Sequence, residues 1–505
     1  MADNHRNSDS KSERTDEISH SPTSHSASAS HQSDITKDVD ERGSAEPELP
    51  YSPFSTRTKA MIVIITALTG LVSPLSANMY YPSIQVVRDD LNTTQSAVTW
   101  TVTAFVLGMA VFPLLWSNLS DRFGRKIVYI TSMLVFTCGS IGCALSKSLT
   151  ALIISRIIQA AGSSAVQGSG AGTISDIYPR EQRGTALGIY YLGPLLGPCL
   201  GPLIGGYIGE DVGWRWVFWV LTIWGGVMML LAIFVLPETH RRIVSKKHKI
   251  QQVNIPPKLS LKENNPLLDL TTAKYPVVAL SLFHFSMIFG TYFTNATGQP
   301  LAYENIYGLT QGTSGLCFLA SGVGCIVGST CGGRTTDLLL VRKKRILLER
   351  AGQSCEDGKS QQQQLADITI PAETRLEAMW MGTVLFLCGI IIGGWLIDKH
   401  LSLAAVLVMQ FCIGTGMAFT FQSLGGYLID MFPTMSARIT GVQNFWRSIW
   451  GAVIVQVFPT MLDNIGWGWA YTIMFFLTVA SFVGIMFVVF KGEKLRARYG
   501  PQSTP

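Results

Sequence analysis

The chain has 505 residues, 48% of them hydrophobic and only 14% charged, with a mean hydropathy of +0.29. So apolar a composition at this length excludes a soluble globular protein and points to a polytopic membrane protein. Its formal net charge of +6 is carried in short loops between apolar runs, which excludes a nucleic-acid-binding surface and leaves the lipid bilayer and a small-molecule substrate as the expected partners.

Residues 1–56 are rich in Ser, His, Asp and Glu, without apolar periodicity or a signal-peptide core, so a disordered tail is expected there. Twelve apolar runs follow, each about 20 residues long, the length that spans a bilayer core. Their approximate bounds are 59–80, 97–116, 127–145, 150–173, 184–208, 216–236, 274–297, 312–333, 376–397, 401–424, 438–460 and 469–490. Every run is predicted to be a helix, because lipid cannot satisfy an open strand edge. The expectation is an all-α membrane protein. It divides into an N-terminal six-helix half over 57–236, a linker over 237–273, a C-terminal half over 274–490 with a hydrophilic loop at 334–375, and a tail over 491–505.

Basic residues follow the even-numbered runs: Arg122, Arg125 and Lys126; Arg180 and Arg183; Arg241, Arg242, Lys246, Lys247 and Lys249; Arg342, Lys343, Lys344 and Arg345; Lys491, Lys494, Arg496 and Arg498. The other loops hold only scattered ones, such as Arg88, Lys147, Arg215 and Lys399. By the positive-inside rule both termini, the linker and the long loop are cytoplasmic. Asn92-Thr93-Thr94, a glycosylation sequon, falls on the outer side in this arrangement.

The halves repeat one another. Asp176-Ile177-Tyr178-Pro179 after the fourth run corresponds to Asp430-Met431-Phe432-Pro433 after the tenth, and Asp121 with its basic neighbours corresponds to Asp337 followed by Arg342–Arg345. Features at equivalent places imply two parallel repeats, with the binding site at the midplane between them.

Few ionisable groups lie inside the runs. A charge at hydrocarbon depth is costly and is usually kept where it faces an interior cavity, so Arg156, in the run Arg156-Ile157-Ile158-Gln159, is a functional candidate. Gly193, Gly197, Gly201, Gly205 and Gly206 recur about every fourth residue in the fifth run and form a flat stripe, while Pro194, Pro198 and Pro202 weaken the same helix. Arg447 repeats the embedded cation in the second half, and His284 lies in the seventh run. No Asp or Glu lies in the apolar core of any run. Two cations without a fixed anion favour an anionic substrate, since arginine suits a carboxylate and an unpaired buried charge is expensive. Gln443, Asn444 and Arg447 cluster at helical spacing and are expected to bind substrate together with Arg156, Gln159, Asn78 and His284. Tyr81, Gln167, Tyr190, Tyr191, Asn295, Gln422 and Trp446 are further polar or aromatic groups that could line a pocket. Eight of the nine cysteines lie in apolar segments and Cys355 lies in a hydrophilic loop, with no disulfide or metal spacing among them. No cofactor, metal or enzymatic nucleophile is expected.

These residues resemble the major facilitator superfamily, over nearly all of residues 51–498. Trp116–Lys126 is similar to the family's G-x-L-x-D-R-x-G-R-K loop through Leu119, Asp121, Arg122, Gly124, Arg125 and Lys126, with Ser117 in place of the first glycine. Arg156, Gln159 and Gly162 match the fourth-span motif, and Gly197, Gly201, Pro202, Gly205 and Gly206 match the g-x-x-x-G-P-x-x-G-G motif of its antiporters. Ser73–Ile84 further resembles fungal twelve-span drug:proton antiporters. The resemblance implies the major facilitator fold and a cytoplasmic charge latch formed by Asp121 and Arg125, with Arg122, Gly124 and the repeat-related Asp337 in the gating loops. It implies proton coupling or substrate contact at Arg156 and an antiport gate in the glycine–proline helix. Read without it, the loop charges could serve topology alone, Arg156 could bind backbone carbonyls, and the glycines could serve packing alone.

The expected function is secondary active export of a small organic anion, a dicarboxylate or acidic metabolite, by a proton-coupled monomer in the plasma membrane. A multidrug:proton antiporter that uses an acidic group such as Glu304, and a transporter-like receptor, are the alternatives.

Overall fold

A computed structural model of the chain describes residues 51–247, 270–352, 372–431 and 436–499. The expected tail before residue 51, most of the linker, the loop with Cys355, and the last six residues lie outside the described residues. The N-terminal half contains α1 (Thr56–Asn78), α2 (Gln95–Phe123), α3 (Arg125–Leu145), α4 (Leu149–Ile177, interrupted at Ser164), α5 (Arg180–Asp211) and α6 (Trp214–Phe234). The C-terminal half contains α7 (Pro276–Asn305), α8 (Gln311–Gly352), α9 (Leu376–Asp398) and α10 (Leu403–Met431). A last helical run, Ser436–Tyr499, turns at Gly466, where φ is 74° and ψ is 177°. That conformation is open to glycine and not to ordinary side chains, so the run is two helices, α11 over 436–465 and α12 over 467–499.

Local chemistry sets the helix ends. Ser55, Thr94 and Ser148 cap α1, α2 and α4 by accepting hydrogen bonds from Thr58 N–H, Ala97 N–H and Ala151 N–H, the usual way to satisfy a donor left over at a helix start. Gly124, at φ 101°, separates α2 from α3. Eleven described helices are long and apolar enough to cross a membrane, and the division at Gly466 makes twelve crossings. α8 departs from expectation. It continues as helix to Gly352, where sequence reasoning begins a loop at 334, and its 42 residues extend about 63 Å, roughly twice a hydrocarbon core.

Packing repeats between the halves. In the first, α1 packs on α5, α2 on α4, and α3 on both α4 and α6; in the second, α7 packs on α11, α8 on α10, and α9 on both α10 and α12. The halves meet along two seams, α5 against α8 and α2 against α11. Both seams close at the end away from the basic loops. On the first, Glu210 accepts a hydrogen bond from Gly312 N–H at 2.7 Å. On the second, Gln456 accepts from Thr103 Oγ1 at 2.9 Å and donates to the Ser96 carbonyl at 3.2 Å. Toward the basic end the facing positions Gly188 of α5 and Gly333 of α8 have open space around them.

Candidate functional site

A cavity of about 250 Å³ lies between the halves, near the lower limit of small-molecule sites at roughly 300 Å³. Its α5 wall (Tyr191, Pro194, Leu195, Pro198) and α8 wall (Cys325, Ser329) both lie on the basic-end side of the closed seam. α7 and α10 contribute Phe289, Tyr292, Phe293 and Phe421, and methionines come from α2 (Met109) and α10 (Met417). Aromatic faces and thioethers suit a flat apolar solute. Polar groups are few: Asn78, Gln167, Gln422 and Arg447. Asn78 Nδ2 donates to the Pro74 carbonyl at 2.6 Å, in the turn weakened by that proline, and Gln422 Nε2 donates to Ser329 Oγ at 2.6 Å.

Arg447 carries the positive charge of this wall. Its guanidinium lies 4.5 Å from the Phe289 ring centre and 6.0 Å from that of Phe421. Its Nε has no hydrogen-bond partner among the described residues. The half-buried guanidinium, held against aromatic faces at the edge of the cavity, is the group placed to take an anionic acceptor.

Of the expected pair of arginines, Arg447 lines the cavity and Arg156 does not. Arg156 is fully buried, at 0% exposure, inside the N-terminal half and away from the cavity wall. Nη1 donates to the Ser76 carbonyl at 3.2 Å and to Gln159 Oε1 at 2.8 Å, and Nε donates to the Thr101 carbonyl at 3.5 Å. The Tyr80, Phe105 and Phe218 rings surround it at 4.9, 4.3 and 5.8 Å. Gln159 turns inward as its partner and donates to Ser140 Oγ at 2.9 Å. Its Nη2 has no hydrogen-bond partner among the described residues, but carbonyls, Gln159 and ring faces hold the rest of the guanidinium, which acts as a tie between α1, α2 and α4. Arg156→Ala is therefore expected to lower the thermal unfolding midpoint of the purified protein by a few degrees, from the loss of a cation–π group, its hydrogen bonds and its packing. Its apparent affinity for an anionic solute should stay within about twofold of wild type; a selective loss of affinity with unchanged stability would return Arg156 to the site.

Three other expected contacts are also away from the wall. His284 is buried between α7, α9 and α12, with Nδ1 2.9 Å from Ser481 Oγ and Nε2 3.4 Å from Thr383 Oγ1. Gln443 and Asn444 lie on α11 one turn before Arg447, but neither lines the cavity. Of the further polar candidates, Gln167, Tyr191 and Gln422 reach it. Tyr190 instead donates to the Val166 carbonyl at 3.0 Å, and Asn295 belongs to a buried network with Gln410 and Tyr471. The aromatic wall is what sequence reasoning missed. Its only signal was the run of Phe and Tyr at 289, 292 and 293, indistinguishable from core.

The glycine stripe of α5 packs on α1. A methyl group on Gly193 would sit 2.0 Å from the Ala67 carbonyl oxygen, and one on Gly205 would sit 2.0 Å from that of Met79. Gly197 and Gly201 lie somewhat less closely against Pro74 and Asn78, at 2.5 and 2.8 Å. Gly206 faces α8 instead, against the Gln311 carbonyl, while Pro202 presents its own carbonyl to Gly315 of α8. The stripe thus fixes α1 to α5 and helps to close the seam.

At the basic end Arg125 joins three helices. Its Nη1 reaches Asp121 Oδ1 of α2 at 3.1 Å and donates to Ser120 Oγ at 2.8 Å, and Nε reaches Asp176 Oδ2 of α4 at 3.0 Å. Glu238, beyond α6, accepts the Arg125 and Lys126 backbone N–H groups at 2.9 and 3.3 Å, so a carboxylate caps the positive end of α3. Sequence reasoning paired Arg125 with Asp121 and missed Asp176 and Glu238, although the repeated Asp176/Asp430 was a signal. In the second half Asp430 pairs with Arg375, just before α9, as Asp176 does with Arg125. Arg122 is exposed beside Phe123, and Asp337 is exposed on α8.

A family model described as the Major Facilitator Superfamily matches residues 66–355. The chain belongs to this superfamily. It is a membrane transporter and not an enzyme. It is 30% identical over 479 residues to the MFS transporter prlG of Fungal sp. (strain NRRL 50135), covering 91% of this chain and 96% of that one. It is 28% identical over 482 residues to efflux pump radE of Floropilus chiversii, covering 91% and 85%. Among solved structures, its fold is similar to the xylose transporter XylE from E. coli, with a TM-score of 0.64, 14% identity and coverage of 89% and 99%. It is also similar to the human organic anion transporter MFSD10, with a TM-score of 0.57, 13% identity and coverage of 85% and 99%. The twelve crossings in two repeated halves are the fold of this family.

Proposed function

We propose that the transporter exports a small organic anion with a flat apolar body, and that Arg447 is its anion contact. The observation that carries this reading is the Arg447 guanidinium, its Nε unpartnered among the described residues, as the one cation on a largely apolar, aromatic wall of described residues. Among the described residues no Asp or Glu lines the cavity, so this wall offers no fixed counter-charge to a cationic drug. A single arginine there also favours one carboxylate over two, which narrows the expected dicarboxylate to a monoanion. The name of the efflux pump relative supports the outward direction. Transport is by alternating access, with the basic end cytoplasmic, the seams between α5 and α8 and between α2 and α11 closed on the outside, and energy from the proton gradient or the solute's own gradient. One chain holds both halves, so the working unit is a monomer, and the plasma membrane is the site of action.

The reading is tested with purified protein in proteoliposomes by counterflow of naphthalene-2-carboxylate, succinate and the cationic dye rhodamine 6G. The aromatic monocarboxylate is expected to accumulate and the other two to stay at the level of protein-free vesicles. Movement of the dye without movement of the carboxylate would replace this reading with that of a cationic-drug antiporter.

A further inference from the structure

Beyond the end of α6 the chain runs Leu236-Pro237-Glu238-Thr239-His240-Arg241, and this turn is inserted into the basic end of the N-terminal half. His240 is 2% exposed, yet neither of its ring nitrogens has a hydrogen-bond partner among the described residues. Its backbone N–H donates to Glu238 Oε1 at 2.8 Å, the same oxygen that accepts the Arg125 N–H. The imidazole is therefore held against the charge cluster by the carboxylate that caps α3. The charges that act on it come from every neighbouring element: Arg125 of α3, Asp176 of α4, Asp121 of α2, and Glu238 of its own turn. Next to it Arg241 stacks at 3.8 Å on the ring of Tyr51, whose hydroxyl donates to the Ser175 carbonyl at 3.0 Å.

We propose that His240 is a proton-binding site that releases the basic-end charge cluster when the compartment on that side turns acidic. A neutral imidazole can remain in this pocket. An imidazolium there would bring a second donor and a full charge into a place where it makes no hydrogen bond, beside the Arg125 guanidinium, so the proton is better held by a conformation in which His240 has left. Burial first, and then Arg125, holds the His240 pKa below its ordinary 6.5 against the opposing pull of Asp176, Asp121 and Glu238. The sign follows from linkage. The clustered conformation binds fewer protons than the released one, so its stability is complete above the ordinary value of 6.5 and is lost as pH falls through and below it. Departure of His240 also withdraws Glu238, two residues before it, and leaves the first N–H groups of α3 without their acceptor.

The proposal does not depend on which solute is carried, so its test needs none. Amide hydrogen exchange of the full chain in lipid nanodiscs is followed on peptides covering 124–126 and 236–241, with rates corrected for the intrinsic pH dependence of exchange. Wild type is expected to lose protection about tenfold between about pH 7.5 and about pH 5.5, where an imidazole titrates. His240→Gln stays uncharged over this range and should remain protected throughout. His240→Lys should be unprotected at every pH; if that variant does not fold, the comparison of wild type with His240→Gln decides alone. A wild-type profile with no loss, or the same loss in His240→Gln, overturns the assignment.

Discussion

Replacing Arg447 with alanine is expected to weaken the transporter's apparent affinity for an aromatic carboxylate about 10- to 150-fold, the factor corresponding to about 1.5–3 kcal/mol for one charged hydrogen bond. The loss is placed in affinity because the guanidinium already lies on the wall, over Phe289 and Phe421, with Nε unpartnered among the described residues. Removing it should cost a bond to the solute as well as its contact with the Phe289 ring. Membrane insertion should change little, and thermal stability should fall by less than in Arg156→Ala, because Arg447 is only half-buried. Arg447→Lys keeps the charge but not the fork of donors, so it should fall between wild type and alanine. Concentration-dependent counterflow of naphthalene-2-carboxylate measures both variants. Equal apparent affinities in Arg447→Ala and wild type would remove this residue from the site.

The second large effect is expected in the glycine stripe. Gly205→Val should lower the unfolding midpoint by several degrees, consistent with an overpacking cost of about 1–3 kcal/mol, and should abolish counterflow. A methyl group at this position would lie 2.0, 2.7 and 2.8 Å from the oxygen, carbonyl carbon and Cα of Met79. Backbone atoms cannot rotate away as a side chain can. α1 and α5 would have to separate, which moves Asn78 on the cavity wall and reopens the seam closed by Gly206 and Gln311. Gly188→Ala on the same helix is the control: nothing lies within 4 Å of it, and alanine favours helix over glycine by about 1 kcal/mol. Circular-dichroism melts and counterflow compare the two. Full activity in Gly205→Val would mean that the close approach of α1 and α5 is dispensable.

Most of the fold was legible because lipid leaves a chain few choices. Apolar runs long enough to cross a bilayer must be helices, so the hydropathy of residues 59–490 specified the twelve crossings, and repeated motifs in the two halves specified their equivalence. Where expectation and structure part, the reason is local. Gly332 and Gly333 stand just before 334 but take no positive φ, and no proline follows, so the helix continues to Gly352 although its residues become too polar for lipid. Gly466, by contrast, divides two crossings with a single positive-φ residue.

The site was less legible. Sequence by itself determined that Arg156 and Arg447 each sit in an apolar run and that one helix carries a glycine stripe, because residue type and spacing suffice for that. Only the tertiary structure decided which arginine borders the cavity. Helices that are apolar on every side carry no periodicity to fix their rotation, so neither spacing nor composition says which face meets the cavity. Packing turned Arg156 toward the Ser76 and Thr101 carbonyls and the rings of Tyr80, Phe105 and Phe218, inside the N-terminal half. The same packing turned Arg447 toward the space between the halves. The basic-end cluster divides in the same way: the pairing of Asp121 with Arg125 was implied by the resemblance of their loop to the family's, whereas Asp176, Glu238 and His240 reach Arg125 only because α4 and the turn after α6 fold back onto the start of α3.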